Sequence, residues 1–451
     1  MADHAGGSRE GWELLAVSAG SEPALEEATA RLAAALETSA EGALAAPARA
    51  LRAVPAGPFR RVLVARDRDD AVAALRARDP RRVLTAREVP DGRPVAYLFP
   101  GLGEQYAGMG RGLYRAEPVF REEIDRCAAI LRPQLGLDLR EVLHPPEAGA
   151  PSAAPPAAGG FDLRRMLGRD PAAARPDPAA DRLNRTELAQ PIVFALEYAL
   201  SRLVAAWGIR PRALIGHSLG EYVTATVAGV WPLEDALALV AERARLISEL
   251  PPGAMLGLPF PESEARRYLG AELSLAAVNS PTTCVASGPV EAVAELEARL
   301  AAEGHAARRL ATTHAFHSRM MEAIVPRFRE RLVSVRPSPP RIPLVSNVTG
   351  TWLRPEEATD PEYWVRHLCR PVRFAQGVLE LAHDPEVVLL EVGPGQALGG
   401  FARQSGLARQ VVLPSLRYRY DRQSDEAFLL GTLGRLWLTG AAVEWSAAAP
   451  T

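Results

Sequence analysis

The 451 residues read as an α/β protein. An α/β-hydrolase-like large subdomain is expected over residues 94–253 and 314–413. A ferredoxin-like small subdomain is inserted at 254–313, an N-terminal αβ domain occupies 1–93, and a segment over 414–451 straps back across the core. Three observations carry this reading. Short apolar runs alternate with amphipathic helical stretches along most of the chain. One such run, RALI, leads through Gly216, His217, Ser218, Leu219 and Gly220 into a helical pattern, the strand-turn-helix junction of a nucleophile elbow. Between 254 and 313 the elements fall in the order βαββαβ.

Residues 12–88 alternate strand-like WELLAVSAG and RRVLVARD with alanine-rich helices, and they hold no histidine, cysteine or glycine-rich motif. This is an adaptor without chemistry of its own. From Val95 the strand VAYLF runs into PGLGEQY, a sharp turn with two glycines, and then into the helical MGRGLYRAEPVFREEIDRCAAIL, where a catalytic core is expected to start. About 145–181 is proline- and alanine-rich, broken by a helical patch at 163–167, and reads as a surface excursion. The helix QPIVFALEYALSRLVAAWG places Ile192, Leu196, Leu200, Leu203 and Trp207 on one face.

The inserted subdomain follows as AMLGLPF, ESEARRYL, LSLAAVN, TTCVASG, PVEAVAELEARLAAEG and AARRLAT. Beyond it come the helix RMMEAIVPRFRERL, the strand-turn IPLVSNVTG, the strand EVVLLEVGPG, and a C-terminal stretch that is extended and then helical.

Composition narrows the function. With 48% hydrophobic residues and a net charge of −2 there is no basic surplus for nucleic acid. All 52 basic residues are arginine, so Schiff-base and P-loop lysines are excluded and any cation gripping a ligand must be arginine or histidine. Cys127, Cys284 and Cys369 lie far apart without CxxC spacing, which argues against a disulfide scaffold or zinc knuckle. The polar start MADHAGGSREG has no apolar core of a signal peptide, and no run long enough for a membrane span is apparent. A soluble cytoplasmic protein is expected, with neither nucleic-acid nor membrane partners.

Three residues carry the chemistry. Ser218, between glycines at a helix N-terminus, is a nucleophile candidate, since free N–H groups and the helix dipole there favour an oxyanion. His317, in HAFHS after a strand and before a helix that Ser318 caps, occupies a loop of the same kind and is the candidate base; a purely structural histidine is the competing reading. No acid between Ser218 and His317 stands out as a third triad member, so a backbone carbonyl is the alternative that orients the imidazole. Arg243 falls on the apolar stripe of LEDALALVAERARLISEL, beside Leu239, Val240, Leu246 and Ile247. A buried guanidinium has either a resident carboxylate or an anionic ligand, and both remain open here.

Taken together, FPGLGEQYAGMG, TELAQPIVFALEYAL, IGHSLGEY, LVAERARLI, AVNSPTTCVASG, HAFHS, VSNVTG and LLEVGPG resemble, in order and over nearly the whole chain, the acyltransferase domains of modular polyketide synthases. These are related to the malonyl-CoA:acyl-carrier-protein transacylases. The resemblance implies Ser218 as the acylated nucleophile and His317 as its base, oriented by a main-chain carbonyl of the SNV loop near Asn347. It also implies an oxyanion hole from the N–H groups of Leu102 and Leu219, and Arg243 on the free carboxylate of an extender unit. Gln190, His217 and Asn279 match polar pocket positions.

His314 and Phe316 stand in HAFH, the form associated with malonyl rather than methylmalonyl selection; Phe316 would crowd out a methyl branch at C2. Two departures stand out, Leu102 where the family usually has Gln and Glu104 where it has Ser. The ends resemble the ketosynthase-to-acyltransferase and post-acyltransferase linkers. By implication there is no metal or bound cofactor, malonyl-CoA is a substrate, and the partners are a phosphopantetheine-bearing acyl carrier protein with a ketosynthase and other synthase domains. Methylmalonyl or other extender selectivity, a serine hydrolase or editing thioesterase on the same elbow, and a catalytically silent docking module are the alternatives.

Overall fold

The protein is described by a computed structural model over residues 11–39, 44–146 and 177–445. The helical patch at 163–167, and all but the ends of the proline-rich excursion, lie outside the described residues.

At the N-terminus, β1 (Glu13–Ala19), β2 (Phe59–Ala65) and β3 (Leu84–Ala86) form an antiparallel sheet in that order. Its period-2 alternation serves two cores. Leu15 and Leu63 face the local helices, where they meet Leu36 and Leu75. Leu14, Ala16 and Val62 face the other way and join the main core with Leu429, Leu433 and Leu436 of the C-terminal helix Asp425–Thr439. The C-terminal segment is therefore clamped to the N-terminal sheet, and Arg60 fastens it by donating to the Trp437 carbonyl at 2.8 Å while lying over the Trp437 ring.

The chain then lays down β4 (Val95–Phe99), crosses through helices, and returns as β5 (Pro211–Gly216) beside it. The first expected helix is two, Arg111–Ala116 and Pro118–Leu135, because the residue before a proline is pushed out of helical geometry: Glu117 is extended at φ −105°, ψ 106°. The long helix Thr186–Ala206 reaches the length and apolarity of a membrane span, but 83% of that window is buried inside the protein, so its composition is that of a core helix.

The inserted subdomain holds β6 (Gly253–Leu258), β7 (Ser274–Ser280), β8 (Thr283–Pro289) and β9 (Arg308–Arg309), antiparallel in the order β7-β8-β6-β9. That is the ferredoxin-like arrangement, with helices Glu262–Tyr268 and Val290–Ala302 closing a core of Leu256, Phe260, Cys284, Val293 and Leu300. The chain rejoins the large sheet as β10 (Leu344–Val345), β11 (Val388–Glu391) and β12 (Val412–Pro414), giving a parallel sheet ordered β10-β5-β4-β11-β12. Because the strands are parallel, the loops after β4, β5 and β10 emerge at one edge, where open α/β sheets bind ligands.

Candidate active site

Local sterics make the elbow. A side chain at Gly216 would place Cβ 2.2 Å from the Glu221 nitrogen, and one at Gly220 would sit 2.1 Å from the Phe99 carbonyl oxygen. Only glycine at both positions lets β5 turn into the helix Leu219–Val227 against β4. Ser218 between them takes φ 53°, ψ −111°, a strained conformation for a residue with a side chain. The strain places its Oγ 2.6 Å from His317 Nε2.

The His317 ring is held from behind. Its Nδ1 lies 2.9 Å from the Arg370 carbonyl oxygen. A carbonyl only accepts, so Nδ1 carries the proton and Nε2 presents its lone pair to the serine. This corrects the expectation that the SNV loop near Asn347 supplies the orienting carbonyl. Asn347 instead grips the elbow: its Oδ1 accepts the Ser218 N–H and its Nδ2 donates to the Gly216 carbonyl, each at 2.7 Å. Burial, followed by the charges of His367, Arg243 and His217, holds the His317 pKa well below the ordinary range, so the ring is a neutral acceptor at physiological pH.

The turn after β4 lies directly on the elbow. Gly101 has φ 67°, and a Cβ there would stand 2.7 Å from the His217 carbonyl oxygen. The Gly101 N–H donates to Glu197 Oε1 at 2.7 Å. Glu197 is fully buried in the apolar helix with no cation beside it among the described residues, and burial raises its pKa well above the ordinary range. The N–H groups of Leu102 and Leu219 have no acceptor among the described residues, and Leu219 opens its helix. Two unsatisfied donors at adjoining turns, one at a positive helix end, suit a developing oxyanion.

Arg243 is 1% exposed and, among the described residues, has no carboxylate partner. Its Nη1 donates to Gln190 Oε1, its Cζ lies 5.5 Å from the Tyr222 ring centroid, and its Nε is buried without a partner. The internal ion pair left open by the sequence is thus not formed, and the guanidinium retains donors for an anion. His217 Nε2 donates to Asn279 Oδ1 at 2.8 Å. Phe316 is half-buried between the main core and the cluster on the other face of the sheet. His314 turns to Thr313 Oγ1 at 2.9 Å and makes no described contact with Ser218, His317 or Arg243.

Glu197, Glu221, Tyr363, His367 and Arg370 went unread in the sequence. For the two glutamates a signal existed: like Arg243, each is an ionisable residue within an apolar helix.

Fold and site define the class, an α/β-hydrolase-like acyltransferase fold with a ferredoxin-like insertion. A family model for the acyl transferase domain matches residues 96–443. A phenolphthiocerol/phthiocerol polyketide synthase from Mycobacterium tuberculosis is 35% identical over 98% of this chain, which covers 28% of that protein. The spectinabilin polyketide synthase system protein NorB of Streptomyces orinoci is 38% identical over 86% of the chain and 17% of its own length. The chain therefore spans less than a third of either relative. Among solved structures, the acyl transferase domain of ZmaA matches with TM-score 0.84, 35% identity and coverage of 98% and 97% of the two chains. That of SpnD, in complex with 2-(pent-4-yn-1-yl)malonyl, matches with TM-score 0.81, 39% identity and 98% coverage of each. The chain belongs to the acyl transferase domain family, and its relatives are polyketide synthases.

Proposed function

We propose that this domain moves a malonyl unit from malonyl-CoA to the phosphopantetheine thiol of an acyl carrier protein, within a polyketide synthase that also contains a ketosynthase. The observation that carries the proposal is Arg243: a buried guanidinium with free donors, whose charge acts on the base of the Ser218–His317 dyad. Burying a cation without a carboxylate is costly unless an anion completes the site. A free carboxylate at the far end of the acyl group supplies it, bidentately. The malonyl derivative named for the SpnD domain belongs to the same chemical class. Unpaired Cys127, Cys284 and Cys369 fit a cytoplasmic setting.

His317 Nε2 takes the Ser218 proton as Oγ attacks the thioester carbonyl. The tetrahedral oxyanion faces the Leu102 and Leu219 N–H groups, each such donor contributing about 3–4 kcal/mol. Collapse breaks the C–S bond, and the departing CoA sulfur recovers the proton from His317. In the second half the pantetheine thiol gives His317 its proton and attacks the ester. The Ser218 alkoxide leaves and is reprotonated by His317. No residue beyond the dyad needs to change charge.

Incubation with malonyl-, methylmalonyl- or acetyl-CoA, followed by intact-protein mass spectrometry, tests this. The malonyl adduct is expected to predominate; acetyl loading above malonyl loading would refute a carboxylate-binding pocket. Phe316 is assigned the discrimination against a C2 branch, worth about 1–3 kcal/mol and so leaky. Phe316→Ser is accordingly expected to raise the methylmalonyl-to-malonyl loading ratio by about 10-fold or more. An unchanged ratio removes Phe316 from that role.

The depressed pKa of His317 fixes the acid side of the pH profile. Because the neutral ring is the active form, acylation stays at full rate down through about pH 6.5, the value of an unperturbed histidine, and falls only below it. Arg243 is one of the charges that depress it, so Arg243→Ala assayed with acetyl-CoA should shift this acid limb upward. A limb that stays in place would mean that the charge does not reach the base.

A further inference from the structure

Beneath the dyad lies a buried polar cluster that the chemistry above does not use. Glu221, in the first turn of the elbow helix, is completely buried and both its oxygens are engaged. Oε2 accepts the Asn347 N–H at 2.7 Å and lies 3.4 Å from His367 Nε2. Oε1 accepts the Tyr363 hydroxyl, which also meets Ser346 Oγ at 2.6 Å. Tyr363 and His367 stand one turn apart on the helix Pro361–Cys369 and so face the same side. Arg370, which caps that helix, contributes the carbonyl that holds His317. His367 fills the space between the two mounts, its ring centroid 5.9 Å from that of His317.

One helix is therefore tied to both reacting side chains by separate routes. On one side it runs through Glu221 and Asn347 to the Ser218 N–H; on the other it reaches His317 Nδ1 through a single carbonyl. Both Ser218 (φ 53°) and His317 (φ 55°) hold backbone conformations that side-chain-bearing residues seldom adopt. Such conformations persist only where surrounding contacts over-determine them, and the ties to this helix are those contacts. We propose that the helix Pro361–Cys369 is a brace setting the Ser218–His317 spacing, and that Glu221 is the positioning residue through which it holds the serine. The proposal rests on the acyl-serine reading. A carboxylate suits the position because it accepts from the Asn347 N–H and the Tyr363 hydroxyl at once. Glutamine keeps the first bond through its oxygen and can donate its amide to the Tyr363 oxygen, whereas leucine leaves both donors unpaired.

Single-turnover malonylation of wild type, Glu221→Leu, Glu221→Gln and Tyr363→Phe separates positioning from plain stability. Each variant is compared per folded molecule, alongside its melting temperature and its half-saturating malonyl-CoA concentration. The acylation rate is expected to fall roughly 10²-fold in Glu221→Leu and about 10-fold in Tyr363→Phe, and to be largely restored in Glu221→Gln. Half-saturation should stay at the wild-type value, since Arg243 is untouched. Folded variants acylating at the wild-type rate, or losing rate and half-saturation together, overturn the brace. Should Glu221→Leu fail to fold, Tyr363→Phe decides by the same criteria. If the wild type forms no acyl-serine at all, the functional reading fails. The brace is then judged by how fast a fluorophosphonate labels Ser218, with the same order of variants expected and equal labelling counting against it.

Discussion

Replacing Ser218 with alanine is expected to abolish the malonyl adduct and to lower transfer by roughly 10⁴- to 10⁶-fold. The substitution isolates chemistry from fold. Alanine meets the same strain at φ 53°, ψ −111° as serine does, and the Asn347 bond is made to the backbone N–H, which alanine retains. Melting temperature should therefore move little while the adduct disappears from the mass spectrum. An adduct that survives in Ser218→Ala would place the acyl group elsewhere and remove the elbow from the mechanism.

Arg243→Ala is expected to divide the substrates. Malonyl loading, measured as kcat/KM, should fall by at least about 10²-fold, the equivalent of two charge-assisted hydrogen bonds at about 1.5 kcal/mol each. Acetyl loading should hold or improve, because acetyl has no carboxylate to lose and the unpaired buried charge is gone. Stability should hold as well, since among the described residues Arg243 leaves no partnered carboxylate behind. Equal losses for malonyl and acetyl would make Arg243 a structural residue and leave the extender-unit reading without support.

These two residues, with His317, were legible in the sequence, and the reason is physical. A serine flanked by glycines after a short strand is rare chemistry in a specific turn, and an arginine on an apolar stripe contradicts its surroundings. The βαββαβ order was legible for the same reason, since alternating period-2 and period-3.6 patterns leave a trace in residue type. What could not be read is carried by the backbone. The carbonyl that orients His317 belongs to Arg370, and a carbonyl has no residue type to betray it. The loop after β10 looked like its natural source, yet the structure uses the Asn347 side chain there to pin the elbow.

Tyr363 follows Glu221 by 142 residues, so only folding brings it and His367 to that carboxylate. The strand expected over AARRLAT shrinks to Arg308–Arg309, an edge strand of exposed arginines paired on one side alone. Long charged side chains on such an edge carry no alternation with which to set its length.

The central claim is that malonyl passes between two thiols by way of Ser218 while water is kept out. It is tested most directly by isolating the malonyl-loaded domain, adding phosphopantetheinylated acyl carrier protein, and following the acyl group by mass. The account predicts that malonyl-carrier protein accumulates as the malonyl-enzyme decays, with little free malonate. Release of malonate at the same rate with and without the carrier protein would contradict it, and would make this elbow a hydrolase.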